Sequence, residues 1–283
     1  MQARTLSSQP FLEAFEVLYE AEGLPSYVLP FDLERIYGRV GFPASVLYSN
    51  FVTSIDGVAT LGGSMSAGSV ISAKHKGDRF LMALLRACAD AVVLGAGTLR
   101  ATPDHLWTPA HVYPQLAECF ARLRRSLGRR TEPRLVVLTA RGELDVAHPA
   151  LKHGATIITT AAGSRTLDGR LPTTCDLVTM GESASLDLER ALHELRDRGL
   201  TVLLSEGGPH LTGELVGQGL LDEAFITISP VVAGRDKESR FGMVEGVDLQ
   251  PTPGRWTRLL SARRHGDYLF LRYGLRSARW RPE

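Results

Sequence analysis

Short apolar runs bounded by turn residues alternate along this chain with stretches whose apolar positions recur every three or four residues, the pattern of strands feeding helices. Residues 10 to 22 carry apolar groups at helical spacing and predict an amphipathic helix, stopped by Gly23-Leu24-Pro25. Pro25, Pro30 and Pro43 make residues 25 to 43 an irregular connection, so 1 to 43 read as a helical appendage and 44 to 283 as the main domain. A strand then runs from Val46 to Val52 and meets Thr53-Ser54-Ile55-Asp56-Gly57. Gly62, Gly63 and Gly68, with Ser64, Ser66 and Ser69, predict a mobile segment, and a long helix follows from about Ser72 to Ala89. Strand 90 to 95, helix 111 to 128, strands 134 to 139, 155 to 160 and 176 to 180, helix 187 to 198 and strand 201 to 205 continue the alternation. Such alternation implies parallel βαβ units, hence an α/β fold with a mostly parallel sheet covered on both faces. The tail differs: residues 224 to 229, 256 to 261 and 268 to 273 read as strands without helices between them, an antiparallel edge.

Two strands empty into glycines, Ala91-Val92-Val93-Leu94-Gly95-Ala96-Gly97-Thr98 and Leu203-Leu204-Ser205-Glu206-Gly207-Gly208-Pro209. Ligands of open α/β sheets bind outside the carboxyl ends of strands, and glycine lets peptide N–H groups touch a phosphate while the next helix adds its positive end. The first turn lacks the full Gly-x-Gly-x-x-Gly spacing, and strand-to-helix turns use glycine for steric reasons too. Two such turns together point to a dinucleotide lying across two strand ends.

The charges nearly cancel, 32 Lys and Arg against 31 Asp and Glu, which gives no broad electrostatic reason to expect nucleic acid or a membrane surface. Cys88, Cys119 and Cys175 are scattered and odd in number, so neither a disulfide framework nor a zinc site is expected and a cytoplasmic setting fits. No apolar run approaches the roughly 18 residues of a membrane helix, and the N-terminus lacks the pattern of a signal peptide. Arg122 to Arg125 with Arg129 and Arg130 read as a solvated, basic helix end.

In order along residues 44 to 275, four motifs resemble the reductase domain of bacterial riboflavin biosynthesis: Thr53-Ser54-Ile55-Asp56-Gly57, Gly95-Ala96-Gly97-Thr98, Glu206-Gly207-Gly208-Pro209, and Gly219-Leu220-Leu221-Asp222-Glu223 before Ile228-Ser229-Pro230. The resemblance implies a dihydrofolate-reductase-like three-layer sandwich, NADPH as cofactor, and hydride transfer to a ribosylamino-pyrimidine phosphate. The zinc deaminase that accompanies this domain in many bacteria is not expected, because no H-x-E followed by P-C-x-x-C occurs. A pterin or dihydrofolate-like acceptor is the main alternative, and a non-catalytic nucleotide-binding module the reading from another class.

The cofactor set under this reading is Ser54, Gly95, Gly97, Thr98, Thr139, Arg141, Leu186, Gly207, Gly208 and Pro209. Thr139 and Arg141 follow a strand where a hydroxyl and a guanidinium would meet the 2′-phosphate; a solvated loop arginine is the plain alternative. Leu186 would wall the adenine. Asp56 and Glu206 are the candidate catalytic acids, although Asp-Gly is also an ordinary turn pair and Glu206 could instead sit at a helix N-terminus. On the acceptor side, Asn50 takes a position where the bacterial bifunctional enzymes carry lysine. Thr102-Pro103-Asp104-His105-Leu106-Trp107-Thr108-Pro109 replaces the family's D-D-P and following cation, leaving Asp104 and Trp107 as acceptor contacts. The sheet edge left by the C-terminal strands, together with the resemblance, predicts a homodimer.

Overall fold

The computed structural model describes residues 12–62, 67–235, 240–250 and 256–275. Among them ten strands form one sheet: β1 (Glu16–Glu20), β2 (Val46–Thr53), β3 (Ala91–Gly95), β4 (Arg134–Thr139), β5 (Ala155–Thr159), β6 (Asp176–Thr179), β7 (Val202–Ser205), β8 (Glu223–Ile228), β9 (Arg258–His265) and β10 (Tyr268–Gly274). Their spatial order is β1-β9-β10-β8-β2-β7-β3-β4-β5-β6. From β8 to β6 seven strands run parallel, and β10, β9 and β1 add the antiparallel edge. The helices are α1 (Phe31–Tyr37), α2 (Ala67–Ile71), α3 (Lys76–Cys88), α4 (Ala96–Ala101), α5 (Pro109–Val112), α6 (Ala117–Ser126), α7 (Pro149–Lys152), α8 (Ala161–Leu167), α9 (Leu188–Asp197) and α10 (Pro209–Gly217). This is the mostly parallel α/β sandwich with an antiparallel edge that the sequence predicts.

Strand side chains point alternately to the two faces, and two cores result. Val92, Leu94, Leu135, Val137 and Leu204 meet α1, α3 and α6 on one face; Ala91, Val93, Val136, Leu138 and Leu203 meet α9 and α10 on the other. Burial on both sides explains why these strands are unbroken apolar runs.

Several expected elements differ. The helix over 10 to 22 is not formed: residues 10 and 11 lie outside the described residues, and 16 to 20 make β1, paired antiparallel with β9. Its side chains are largely exposed, while Leu12 and Phe15 ahead of it anchor the segment in the core. Leu29, Leu33, Ile36, Tyr37, Val40 and Phe42 join the same core, so residues 12 to 43, read as an appendage, pack as part of the main body, with α1 inside the supposed irregular stretch. Glu20 also pairs with the buried Arg263 of β9. The helix expected over 72 to 89 begins only at Lys76, because Ala73 and Lys74 take φ of 48° and 54°, and α3 starts with His75 accepting the Asp78 N–H at 3.4 Å; a separate short helix, α2, precedes the turn. Pro114 breaks the stretch expected over 111 to 128: Pro109 opens α5 ahead of it, one short turn follows at Pro114, and α6 begins at Ala117.

The basic cluster is not merely solvated. Arg124 is buried and donates to the carbonyls of Arg86, Ala87 and Ala89, closing the C-terminal end of α3, where orphan carbonyls and a negative dipole end favour a cation. Arg129 donates to the Cys88 carbonyl beside it.

Candidate functional site

Because β7 lies between β2 and β3, the chain reverses its direction of winding there, and the crevice beyond those three strand ends is the usual ligand position of such sheets. A cavity of about 480 Å³ occupies it, lined by Asn50, Gly95, Gly97, Thr98, Glu206, Gly207, Gly208 and Pro209 among others. Gly95 and Gly208 are the N-caps of α4 and α10, and neither offers a side chain to the first-turn N–H groups. Around Gly95 a Cβ would find nothing within 4 Å, and at Gly208 it would stand 3.7 Å from Thr98 Oγ1, facing across the cleft. Two uncapped helix starts converging on open space fit a pyrophosphate.

A second cavity of about 360 Å³ adjoins the first, sharing Gly68, Asp78, Met82, Thr98, Thr102 and Glu206 with it. Its other walls bring Lys74, Arg79, His105, Trp107 and His111. Glu206 stands at the junction, and its partner is Arg86 of α3. Nε reaches Oε1 at 2.9 Å and a terminal nitrogen reaches Oε2 at 2.6 Å, with both side chains buried. Arg86 donates further to the carbonyls of Leu106 and Thr108 and meets His105 Nε2 at 2.9 Å. Burial, with the Arg86 charge beside it, pushes His105 down to about 2, so its ring is neutral and accepts from Arg86. A substrate hydroxyl is therefore not needed to explain the burial of Glu206; a guanidinium satisfies it.

Asp78, in the first turn of α3, is buried and faces both cavities. Desolvation raises its carboxyl to about 6, held back by the hydroxyls of Thr227 and Ser72. Neither Asp78 nor Arg86 stands out from motif reading. Arg86 sits inside the apolar run Leu84-Leu85-Arg86-Ala87-Cys88, and a cation on the buried face of a helix was the available signal.

The remaining expected residues divide. Asn50, Gly95, Gly97, Thr98, Glu206, Gly207, Gly208 and Pro209 line the first cavity, and Trp107 the second. Asp56 lines neither. Its exposed carboxylate accepts from Ser54 Oγ at 2.6 Å, from the Ala233 N–H at 3.0 Å and from the Gly234 N–H at 2.7 Å, which holds it down to about 2. That is turn chemistry: Ser54 is buried and Gly57 takes φ of 80°. Asp104 is exposed and apart from both cavities. Thr139 Oγ1 accepts the Gly142 N–H at 3.1 Å, while Arg141 is exposed beside Glu143 at 3.2 Å. Thr139 ends β4, the strand next to β3, and Arg141 follows it, both outside the walls of the first cavity. Leu186 is half-buried against the α9 core. Trp107 is buried, edge-on to His105 at 5.1 Å and tilted against His148 at 5.8 Å. No cluster of metal-ligating side chains and no membrane-spanning helix occurs among the described residues.

This sheet, with its glycine-walled crevice and adjoining cavity beyond the strand ends, has the ligand-binding architecture of an α/β protein. The chain belongs to the RibD C-terminal domain family, whose pattern it matches over residues 45–260; the family is one of riboflavin-biosynthesis reductases and generally employs a nicotinamide cofactor. A pyrimidine reductase-like protein from Corynebacterium diphtheriae shares the fold with a TM-score of 0.66 and 21% identity, covering 87% of this chain and 98% of that one. RibD of Acinetobacter baumannii gives 0.62 and 19%, covering 82% of this chain and 58% of that one, so the protein spans little more than half of it. The riboflavin biosynthesis reductase of Saccharomyces cerevisiae gives 0.56 and 12%, with 84% and 93% covered. No curated protein sequence matches the chain.

Proposed function

We propose that the protein reduces a phosphorylated ribosylamino-pyrimidine with NADPH. The observation that carries this reading is the pair of adjoining cavities, one walled by glycine turns at two helix starts and the other by cations, meeting at Glu206. Gly95, Gly97, Thr98, Gly207 and Gly208 would hold the pyrophosphate with backbone N–H groups and a hydroxyl. When bound there, the nicotinamide supplies two electrons to an electrophilic carbon of the acceptor. The chain's own part is alignment and charge. Asn50 stands on β2 at the first cavity, and the Arg86–Glu206 pair fixes the loop that carries Trp107. Lys74 and Arg79 carry no ion pair among the described residues and line the second cavity, so they are available to an acceptor's phosphate. They take the place of the basic residue that the altered loop after Thr102 lacks.

The test is direct. NADPH binding, followed by the cofactor's fluorescence, should saturate. NADPH oxidation against a panel of ribosylamino-pyrimidine phosphates and pterins should favour the former and fall at least ten-fold for the dephosphorylated pyrimidine. Selective turnover of a pterin, or no cofactor binding, would overturn the assignment.

A further inference from the structure

The two cavities contain two carboxyl groups among their lining residues, Asp78 and Glu206. Glu206 is committed: both its oxygens accept from Arg86 and are turned to that guanidinium. Reduction of a polarised double bond delivers hydride to carbon and leaves the heteroatom needing a proton. The histidines of the acceptor cavity do not supply it. His105 is kept neutral with Nε2 turned to Arg86, and burial together with the Arg86 and Arg79 charges lowers His111 as well. His210, on the wall of the cofactor cavity, packs against Phe241.

Asp78 differs from all of these. It is 4% exposed, carries no ion pair among the described residues, and is placed where the two cavities meet. The first turn of α3 fixes its position: His75 caps the helix by accepting the Asp78 backbone N–H, which leaves the side chain free of capping duty. We infer that Asp78 is the proton donor of the reductase, delivering its carboxyl proton to the acceptor heteroatom as the neighbouring carbon is reduced. This inference rests on the reductase reading above. The balance is complete with NADPH as reductant. Carbon gains hydride, the electron pair of the double bond moves to the heteroatom, the heteroatom takes the proton, and water reprotonates the carboxylate.

The surroundings suit that duty. Burial disfavours the carboxylate, and so does the Glu206 charge, while Thr227 of β8, Ser72 and Arg79 favour it. Lys74, Arg86 and His111 face the same space from the turn before α3, from α3 and from α5. A carboxyl titrating near 6 is protonated often enough near neutrality to donate and acidic enough to do so readily.

The experiment pairs kinetics with a readout that needs neither cofactor nor acceptor. Carbon-13 spectra of protein labelled at aspartate carboxyls, compared between wild type and Asp78→Asn, should assign a resonance titrating near pH 6 in the cofactor-free protein. Asp78→Asn should remain folded and bind NADPH within three-fold of wild type. Its kcat should fall at least 100-fold with acceptor KM within three-fold, and Asp78→Glu should restore part of the rate. The wild-type decline of kcat as pH rises through about 6 should vanish in Asp78→Asn. An Asp78 resonance titrating near 4, or an Asp78→Asn enzyme with wild-type kcat and pH profile, would overturn the donor role alone. Wild-type protein that binds no nicotinamide cofactor would overturn the reductase reading and the donor role with it.

Discussion

Replacing Glu206 with Gln tests the centre of the site. The substitution keeps size and one acceptor oxygen but removes the charge that neutralises Arg86, whose side chain is 1% exposed. Taking one partner from a buried pair costs about 3 to 5 kcal/mol, because the other charge stays behind without compensation. The retained amide oxygen and the acceptors at Leu106, Thr108 and His105 offset part of this, which leaves about 2 to 4 kcal/mol. At about 2 to 4 °C per kcal/mol for a chain of this size, Tm should drop by about 4 to 16 °C. The effect should also reach the acceptor cavity, since Arg86 holds the carbonyls on either side of Trp107; acceptor KM should rise while NADPH affinity changes little. Urea and thermal unfolding check the first part, and steady-state kinetics the second. The double variant Arg86→Met with Glu206→Leu should recover much of the stability but none of the activity. A Glu206→Gln protein with Tm within 1 °C of wild type would refute the reasoning, because it would mean that Arg86 tolerates burial without its anion.

Arg141→Ala should narrow the preference for NADPH over NADH by about 1.5 to 3 kcal/mol if the guanidinium leaves Glu143 for the 2′-phosphate; equal affinities for both cofactors in the wild type would sink this. Trp107→Ala should cost about 3 to 5 kcal/mol of stability by opening a hole between His105 and His148 and should raise acceptor KM; an unchanged KM would make the residue purely structural. Acid should destabilise the fold through His75. Burial, with His265 beside it, lowers His75 to about 4, so its contribution is complete above the unfolded value of 6.5 and is lost as pH falls towards 4. Asp78, raised, works in the opposite sense over an overlapping range. His75→Asn, which preserves a helix cap, should therefore lose less urea resistance between pH 6.5 and 4.5 than wild type, and parallel curves would exclude His75. The protein should be a homodimer by light scattering, paired through β1, whose Val17, Leu18 and Tyr19 are exposed along the sheet edge. A monomeric mass, unchanged by Leu18→Lys, would refute this.

The parallel core was legible because β3, β4, β5 and β7 are buried on both faces, so their own residues carry the signal. The N-terminal strand was not. Glu16 to Glu20 owe their conformation to pairing with residues 261 to 264, and an edge strand exposed on both faces has no two-residue alternation to announce it. That pairing also covers the C-terminal edge from within the chain. The glycine turns could be read as a cradle since their geometry is local. Asp56 was ambiguous because one Asp-Gly pair serves a turn or a site equally well, and its contacts with the N–H groups of Ala233 and Gly234 come from nearly 180 residues away. Arg86 and Asp78 escaped because their significance lies in partners on other elements.

The insertion of β7 between β2 and β3 has a consequence for how the chain folds. In the finished sheet β2 and β3 do not touch, and the place between them is filled only when residues 202 to 205 arrive, more than a hundred positions after β3. Such non-local closure is slow. A nascent chain ending before Val202 would expose an unpaired edge on both β2 and β3, rich in Val and Leu and prone to association. Glu206 follows the closing strand directly, so the partner of Arg86 arrives in the same step. Until then, the buried arginine lacks its counter-charge. Completion of the sheet and completion of the site are thus a single late event, and damage to β7 should appear as aggregation during synthesis before it appears as lost turnover.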